Sequence, residues 1–207
     1  MILYDYWRSS SAYRVRIGLN LLGLSVKHVP VDLLTAQQHS PENLARNPLG
    51  LVPTLQLDGL TLTQSLAILE YLDETRGPAF LPTDPGARAH TRALAYAIAM
   101  DIAPICNLSV RQHAASLAQG GLTADDWQHH YITRGLRGFA AMLGTPTGRY
   151  CTGDAVTLAD ICLIPQVYNA RRVGIDVTEF PRIARIVAEL ETLPAFVAAH
   201  PDQQVQR

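Results

Sequence analysis

The run Arg8-Ser9-Ser10-Ser11-Ala12-Tyr13-Arg14-Val15-Arg16-Ile17 sets three consecutive hydroxyls between a short apolar stretch and a longer apolar-periodic one. A helix starting here exposes its first N–H groups beside those hydroxyls, and a helix N-terminus carries a partial positive charge with open donors. Such a corner holds an anion: a phosphate, a carboxylate or a thiolate. The run contains no cysteine, so a thiolate held here comes from another molecule. Serines at this point also cap the helix, and the two roles use the same geometry.

The elements that must position the corner follow from periodicity and turn chemistry. Ile2 to Tyr6 reads as a strand, and Ser10 to Leu22 as a helix with Ala12, Val15, Leu19 and Leu22 on one face, stopped by Gly23. Val26 to Val31 alternates as a second strand. A polar stretch with a short helix leads to Pro53–Leu57 and Leu60–Thr63, joined by the hairpin dipeptide Asp58-Gly59. Gln64 to Glu74 reads as a helix burying Leu66, Ile68, Leu69 and Leu72. The order βαβ then ββα is the thioredoxin arrangement, in which a right-handed crossover lays the first helix on a mixed sheet.

Turn formers crowd residues 77–86, which read as a linker between a domain 1–80 and an all-helical domain 87–207. The fold class is therefore α+β, a thioredoxin-like half followed by a helical half. Ala87 to about Ala118 reads as one long helix kinked at Pro104, and Asp125 to Leu143 as another with the packing residues Trp127, Tyr131 and Phe139. Thr157-Leu158-Ala159-Asp160 is a capping-box start with Val156 and Ile161 as a staple. The helix it opens, Leu158 to Val167, is apolar nearly all round and so should be buried. A last helical segment runs from Pro181 to about Leu193.

Composition excludes several classes. The 207 residues are 48% hydrophobic with a formal net charge of −1, which argues against nucleic acid held by a basic field. All basic residues except Lys27 are arginines, whose planar forks grip carboxylates bidentately. Cys106, Cys151 and Cys162 show no CxxC or zinc spacing and read as reduced thiols in a cytoplasmic protein. No metal is expected, the His129-His130 pair having no acidic partners at ligand spacing. Neither a signal peptide nor a membrane span is apparent.

The stretch from Tyr6 to Ile17 resembles the SSCxxxRVRIAL signature of the zeta-class glutathione transferases, a family that includes maleylacetoacetate and maleylpyruvate isomerases. The likeness continues through Asn47-Pro48, Val52-Pro53-Thr54-Leu55, Gln64-Ser65 to Leu72, Asn107 to Val110, and Thr157-Leu158-Ala159-Asp160 to Pro165-Gln166-Val167. It implies the cytosolic glutathione transferase fold, a homodimer and glutathione as cofactor. A cis Val52-Pro53 peptide would leave the Val52 backbone open, so that glutathione pairs with it like an added strand. Ser65, with Gln64 beside it, starts a helix and suits the γ-glutamyl carboxylate; Gln38 and Asn107 match further family contacts. As plain features of a fold, Pro53 is a turn proline, Ser65 a cap and Gln38 solvated surface.

The chemical task of the corner, on this resemblance, is to ionise a thiol. Lowering a thiol pKa of about 8.5 by about two units needs roughly 2.7 kcal/mol of anion stabilisation. A helix terminus offers about 0.3–1 kcal/mol and a hydrogen bond to a charged group about 1.5–3 kcal/mol, so a hydroxyl donor is the larger contribution. Ser9 is the first candidate, then Ser10. Ser11 stands where the family signature has cysteine, which shifts covalent chemistry onto glutathione. Ala103 and Leu51 replace polar residues found in relatives.

The arginines bear on substrate. Arg8 adjoins the corner and Arg172 matches a family arginine in the helical half; two such forks fit a substrate with more than one carboxylate, with Arg111 a third candidate. Arg14, Arg16 and Arg171 read instead as surface or interdomain ion pairs. The resemblance implies cis–trans isomerisation of a maleyl keto acid, maleylacetoacetate to fumarylacetoacetate in tyrosine degradation, by reversible thiolate addition. Alternatives are maleylpyruvate isomerisation, transfer to or dehalogenation of small α-halo acids, and a non-catalytic association module of the same fold.

Overall fold

The computed structural model describes residues 1–77, 79–144 and 148–204. Four strands, β1 (Ile2–Asp5), β2 (Lys27–Pro30), β3 (Thr54–Leu57) and β4 (Leu60–Thr63), form one sheet in the order β2-β1-β3-β4. β1 pairs parallel with β2 and antiparallel with β3, placing Tyr4 opposite both Val29 and Thr54. β3 and β4 are antiparallel, and their turn residues Asp58 and Gly59 take φ of +53° and +77°, the left-handed pair that a two-residue hairpin needs.

Helix α1 (Ser10–Leu21) is the crossover from β1 to β2. Every residue from Ala12 to Leu19 is buried, a far wider surface than the single face expected. α2 (Pro41–Arg46) is capped by Ser40, whose hydroxyl accepts from Asn43 N–H. α3 (Ser65–Arg76) packs beside α1 and buries Ile68, Leu69 and Leu72, while Leu66 stays half-exposed. The two helices meet at Gly18, where a Cβ would stand 2.2 Å from Leu69 Cδ2.

The chain divides into two compact units: Met1–Phe80 joined by the segment from Thr192, and Leu81–Glu191. The expected assignment of everything beyond residue 87 to the helical half is corrected by this return. The second unit holds α4 (Pro85–Tyr96), α5 (Leu108–Leu117), α6 (Ala124–Met142), α7 (Leu158–Arg172) and α8 (Pro181–Leu190); the short α9 (Pro194–Ala199) lies against α1 in the first. Asn20 Nδ2 donates to Ala195 O at 3.0 Å and Arg16 Nε to Ala199 O at 3.2 Å, which is why the last residues stay with α1.

Other boundaries also move. The long helix expected over 87–118 is broken: α4 runs into a π-helical turn at Ala97–Ile102, Pro104 lacks the N–H to carry the helix on, and α5 starts afresh after Asn107. Pro85 and Gly86, expected in the linker, already form the first turn of α4, with Asp84 Oδ1 accepting from Ala87 N–H at 2.8 Å. Pro78, in the same expected linker, lies outside the described residues, as do 145–147 and 205–207. The segment expected to end at Leu193 stops at Leu190, and Pro194 opens α9.

The stretch of α7 that is apolar nearly all round is buried as expected, from Leu158 through Val167. Its start is tied by Asp160, fully buried: Oδ2 accepts from Thr157 N–H at 2.8 Å and Thr157 Oγ1 at 2.9 Å, and Oδ1 from Cys151 N–H at 2.9 Å. Asp160→Ala strands two backbone donors, each costing about 1–3 kcal/mol when buried unsatisfied. Urea unfolding should therefore show a loss of about 2–5 kcal/mol for Asp160→Ala and a smaller one for Asp160→Asn, which retains an acceptor. Equal stability of Asp160→Ala and the parent chain would refute this.

Candidate active site

Sheet topology brings the sequence-predicted residues of the first unit to one end. β1 and β2 run parallel, so the loops after Asp5 and after Pro30 leave at the same end; β3 starts there and β4 finishes there, because each is antiparallel to its neighbour. In order across the sheet these segments carry Gln38, the Ser9–Ser11 corner, Val52-Pro53 and Gln64-Ser65. Both α1 and α3 begin at this end.

Ser9 is the N-cap of α1, and its Oγ accepts from Ala12 N–H at 3.2 Å. A hydroxyl that accepts the capping bond still holds its own proton, so Ser9 both caps the helix and points a donor elsewhere. Tyr13 N–H bonds to Ser9 O at 2.8 Å, whereas the N–H groups of Ser10 and Ser11, first and second in the helix, have no intrahelical acceptor. Arg8 stacks on the Trp7 ring, 4.7 Å from its centroid, and donates to Tyr6 Oη at 3.2 Å. Among the described residues no carboxylate comes within ion-pair reach of Arg8. The corner thus offers a hydroxyl, two backbone donors and a guanidinium, with no anion of its own.

The peptide between Val52 and Pro53 is cis. Thr54 is the first residue of β3, and among the described residues neither the N–H nor the C=O of Val52 bonds to another backbone group. Asn47 Nδ2 holds the preceding carbonyl, Leu51 O, at 2.9 Å. Nearby, Gly50 at φ +62° allows the Gln37–His39 turn to pack on the loop: a Cβ there would lie 2.6 Å from His39 Nδ1. Gln38 presents a buried Oε1 that accepts no hydrogen bond. Of the two readings left open for Gln38, a family contact or solvated surface, the half-buried side chain with an unpartnered acceptor suits the first.

On the far side of the sheet end, Gln64 precedes α3 at φ +66°, a conformation that side chains other than glycine rarely adopt. Its side chain makes no cap bond, so the first N–H groups of α3 stay open. Ser65 is buried, and its Oγ accepts from Arg14 Nη1 at 3.3 Å, which turns the serine's own proton away from the arginine. Of the surface or interdomain ion pairs expected for Arg14 and Arg16, the surface reading fails: they are 1% and 2% exposed, and Arg16 pairs with Asp5 inside the first unit. The signal available in the sequence was the density of apolar residues at 12, 13, 15, 17 and 19, which covers more than one face of α1. Arg171, by contrast, pairs on the surface with Glu191.

The remaining candidates lie in the second unit. Asn107 is the exposed N-cap of α5, without a side-chain cap bond. Arg111 Nη1 donates to Asp125 Oδ1 at 2.7 Å, a contact that sequence reasoning did not foresee. Arg172, exposed at the end of α7, lies over the Tyr168 ring at 5.9 Å. Beside Asn107, burial pushes the Cys106 thiol up to about 11, only partly countered by Arg111, and burial holds Cys151 well above its usual range. All three cysteines are buried thiols, and the described residues contain no disulfide and no group of side chains placed to hold a metal. Neither Cys106 nor Cys151 is disposed to form a thiolate at neutral pH.

A glutathione S-transferase N-terminal domain model matches residues 1–74. A maleylacetoacetate isomerase of Rhizobium meliloti is 52% identical over 205 residues, spanning 98% of this chain and 96% of that protein. Among solved structures, a maleylpyruvate isomerase described as a bacterial zeta-class glutathione S-transferase superposes with a TM-score of 0.93 at 37% identity, covering 99% of both chains. A maleylacetoacetate isomerase of Methylobacterium extorquens AM1, solved with malonate and glutathione, also gives 0.93, at 41% identity over 100% of this chain and 99% of that one. The chain belongs to the zeta-class glutathione transferases, within the maleylacetoacetate isomerase family.

Gln64 separates the energetic roles of this end of the sheet. Glycine carries no penalty at φ +66°, whereas a strained side chain costs of order 1–3 kcal/mol. Gln64→Gly should leave thermal stability equal or higher while glutathione binding, measured by calorimetry, weakens several-fold. A stability loss together with unchanged binding would contradict both halves.

Proposed function

We propose that the chain binds glutathione at this end of the sheet and uses it to convert maleylacetoacetate to fumarylacetoacetate. The observation that carries the reading is the convergence of open donors and acceptors from four strand ends, in a chain 52% identical over nearly its whole length to a maleylacetoacetate isomerase. The groups present fit the cofactor. The free N–H and C=O of Val52 suit the extended cysteinyl backbone, the buried Gln38 Oε1 is an acceptor for a peptide N–H, and the start of α3 with Ser65 and Gln64 takes a carboxylate.

When bound, glutathione supplies a thiolate that adds reversibly across the cis double bond, so that a single bond rotates before the thiolate leaves as the trans product forms. The protein's share is electrostatic and positional. Ser9 donates its hydroxyl proton to the sulfur while its oxygen keeps the helix cap. Ser10 and Ser11 N–H add the helix terminus to the same anion. Arg8, braced by Trp7 and Tyr6, holds one substrate carboxylate, and Arg172 holds another. No protein thiol takes part, in keeping with Ser11 and with the buried cysteines.

The maleylpyruvate isomerase likeness, at a TM-score of 0.93, favours a second reading in which the shorter keto acid is the substrate. Absorbance assays with maleylacetoacetate and maleylpyruvate, each with and without glutathione, decide between them; turnover of neither would reject the isomerase reading. Association as a homodimer and a cytoplasmic location accompany the proposal, and so does a place in the breakdown of tyrosine. A module serving association alone has no use for the open donors at Ser10, Ser11 and Val52. Among the described residues no helix is long and apolar enough to cross a membrane.

Ser9→Ala should cost about 1 kcal/mol of stability through the lost cap and lower turnover far more than Ser11→Ala. Thiolate absorbance of bound glutathione checks the assignment: ionisation at the same pH in Ser9→Ala as in the parent would move the role to Ser10 or Ser11. Arg172→Ala should reduce kcat/KM for the keto acid roughly ten- to a hundredfold, the value of a charge-assisted pair of about 1.5–3 kcal/mol, with glutathione affinity little changed. An unchanged kcat/KM would take Arg172 out of the site.

A further inference from the structure

Arg16 sits two turns into α1 from Ser9 and makes three different bonds with its three nitrogens. Nη1 pairs with Asp5 Oδ2 at 2.8 Å, Nη2 donates to Trp7 O at 2.9 Å, and Nε donates to Ala199 O at 3.2 Å. Its side chain is 2% exposed and that of Asp5 is 8% exposed. The guanidinium also lies over the Tyr13 ring, 5.5 Å from its centroid. One planar group therefore ties together the last residue of β1, the loop that leads into the serine corner, and the final residue of α9.

A buried ion pair is weak evidence for stability, since desolvation offsets most of its attraction and an apolar pair of similar volume often does as well. What the arrangement does supply is position. The loop from Tyr6 to Ser9 is held by Ser9 N–H to Tyr6 O at 2.9 Å, by Tyr13 N–H to Ser9 O at 2.8 Å, and by the Arg16 bond to Trp7 O, the one of these that reaches the middle of the loop from a side chain. Trp7 in turn is the surface on which Arg8 stacks. A shift of this loop moves the Ser9 hydroxyl relative to the Ser10 and Ser11 N–H groups, and a donor displaced by half an ångström loses much of its value to an anion.

We propose that Arg16 is the positioning residue of the thiol-ionising corner, acting on the loop that carries Ser9. The inference rests on the glutathione reading above. Arg16 touches neither cofactor nor substrate; it acts through Trp7 O and Asp5. Lysine cannot replace it, because a single ammonium has no planar fork to meet three acceptors in three directions.

The test measures the pKa of the bound glutathione thiol by thiolate absorbance, together with KM for glutathione and kcat. In Arg16→Lys the bound thiol should ionise about one pH unit higher, a tenfold smaller thiolate fraction below its pKa. KM for glutathione should stay within about twofold, since Val52, Gln64 and Ser65 are untouched. Asp5→Asn, which keeps the size and an acceptor oxygen but removes the charge, should move the thiol in the same direction by less, and serves if Arg16→Lys fails to fold. Asn20→Ala, which loosens α9 through a contact remote from the corner, should lower the melting temperature without moving the thiol. If Arg16→Lys and Asp5→Asn lower stability but leave the thiol pKa at the parent value, the inference is overturned. If the parent chain itself does not lower the thiol pKa of bound glutathione, the glutathione reading fails instead.

Discussion

Two helices begin at the same end of one sheet, and the backbone donors of their first turns have no partner within their own helices. The serines at the start of α1 and Gln64 and Ser65 at the start of α3 are arranged around that shortage. Ser9 relieves part of it by capping Ala12 N–H, but Ser10 and Ser11 N–H remain, and at α3 the side chain of Gln64 makes no cap bond. Water satisfies such groups in an empty site; an anion does so with charge as well. The mixed sheet makes the shortage local, because a parallel β1–β2 pair and two antiparallel pairs deliver four chain reversals to one end. Inverting β3 relative to β1 would send the serines and Val52 to opposite ends.

Local signals in the sequence were sufficient for much of this. Asp58-Gly59 demanded a hairpin turn, Gly23 a helix stop at φ +64°, and Thr157 with Asp160 a helix start, and each follows from chemistry within a few residues. The serine corner was readable for the same reason. The misplaced elements depended on distant partners. Nothing near Arg16 announces that its acceptor is Ala199 O, far along the chain, and so the return of α9 to the first unit was invisible. Arg14 looked like a surface residue because its burial is set by α3, where Ser65 waits for it. The break at Pro104 was read as a kink because proline marks only the lost N–H, and nothing in the local sequence marks the π-helical turn before it. The partner of Arg111, Asp125, likewise lies on another helix and had no local signal.

Electrostatics explains how a corner can ionise one thiol without generating a second anion. The cysteines the chain does carry are buried, and burial of Cys106 and Cys151 raises their thiols away from the thiolate range. At the corner itself position 11 is serine, a hydroxyl whose pKa is far too high to ionise. A cysteine placed there would sit among the donors that stabilise the bound thiolate and would compete for them. The first sulfur to ionise would raise the pKa of the other, as like charges a few ångströms apart always do. With serine the full stabilisation of the corner falls on one sulfur atom, and Ser11 is left to contribute its backbone N–H.

The same logic separates orientation from charge among the arginines. Arg16 is neutralised by Asp5 and buried, so its net field at the corner is small and its value lies in geometry. Arg8 has the reverse design: it is half-exposed, braced by aromatic rings and, among the described residues, without a carboxylate in ion-pair reach, so on the proposed function its charge is kept for a ligand. Exchanging the two environments would destroy both functions, since a mobile Arg16 would free the Trp7 loop and a paired Arg8 would no longer attract an anion. A sequence that places two arginines eight residues apart cannot by itself say which is which. The difference arises from the sheet strand that ends in Asp5 beneath one of them and from the ring of Trp7 beneath the other.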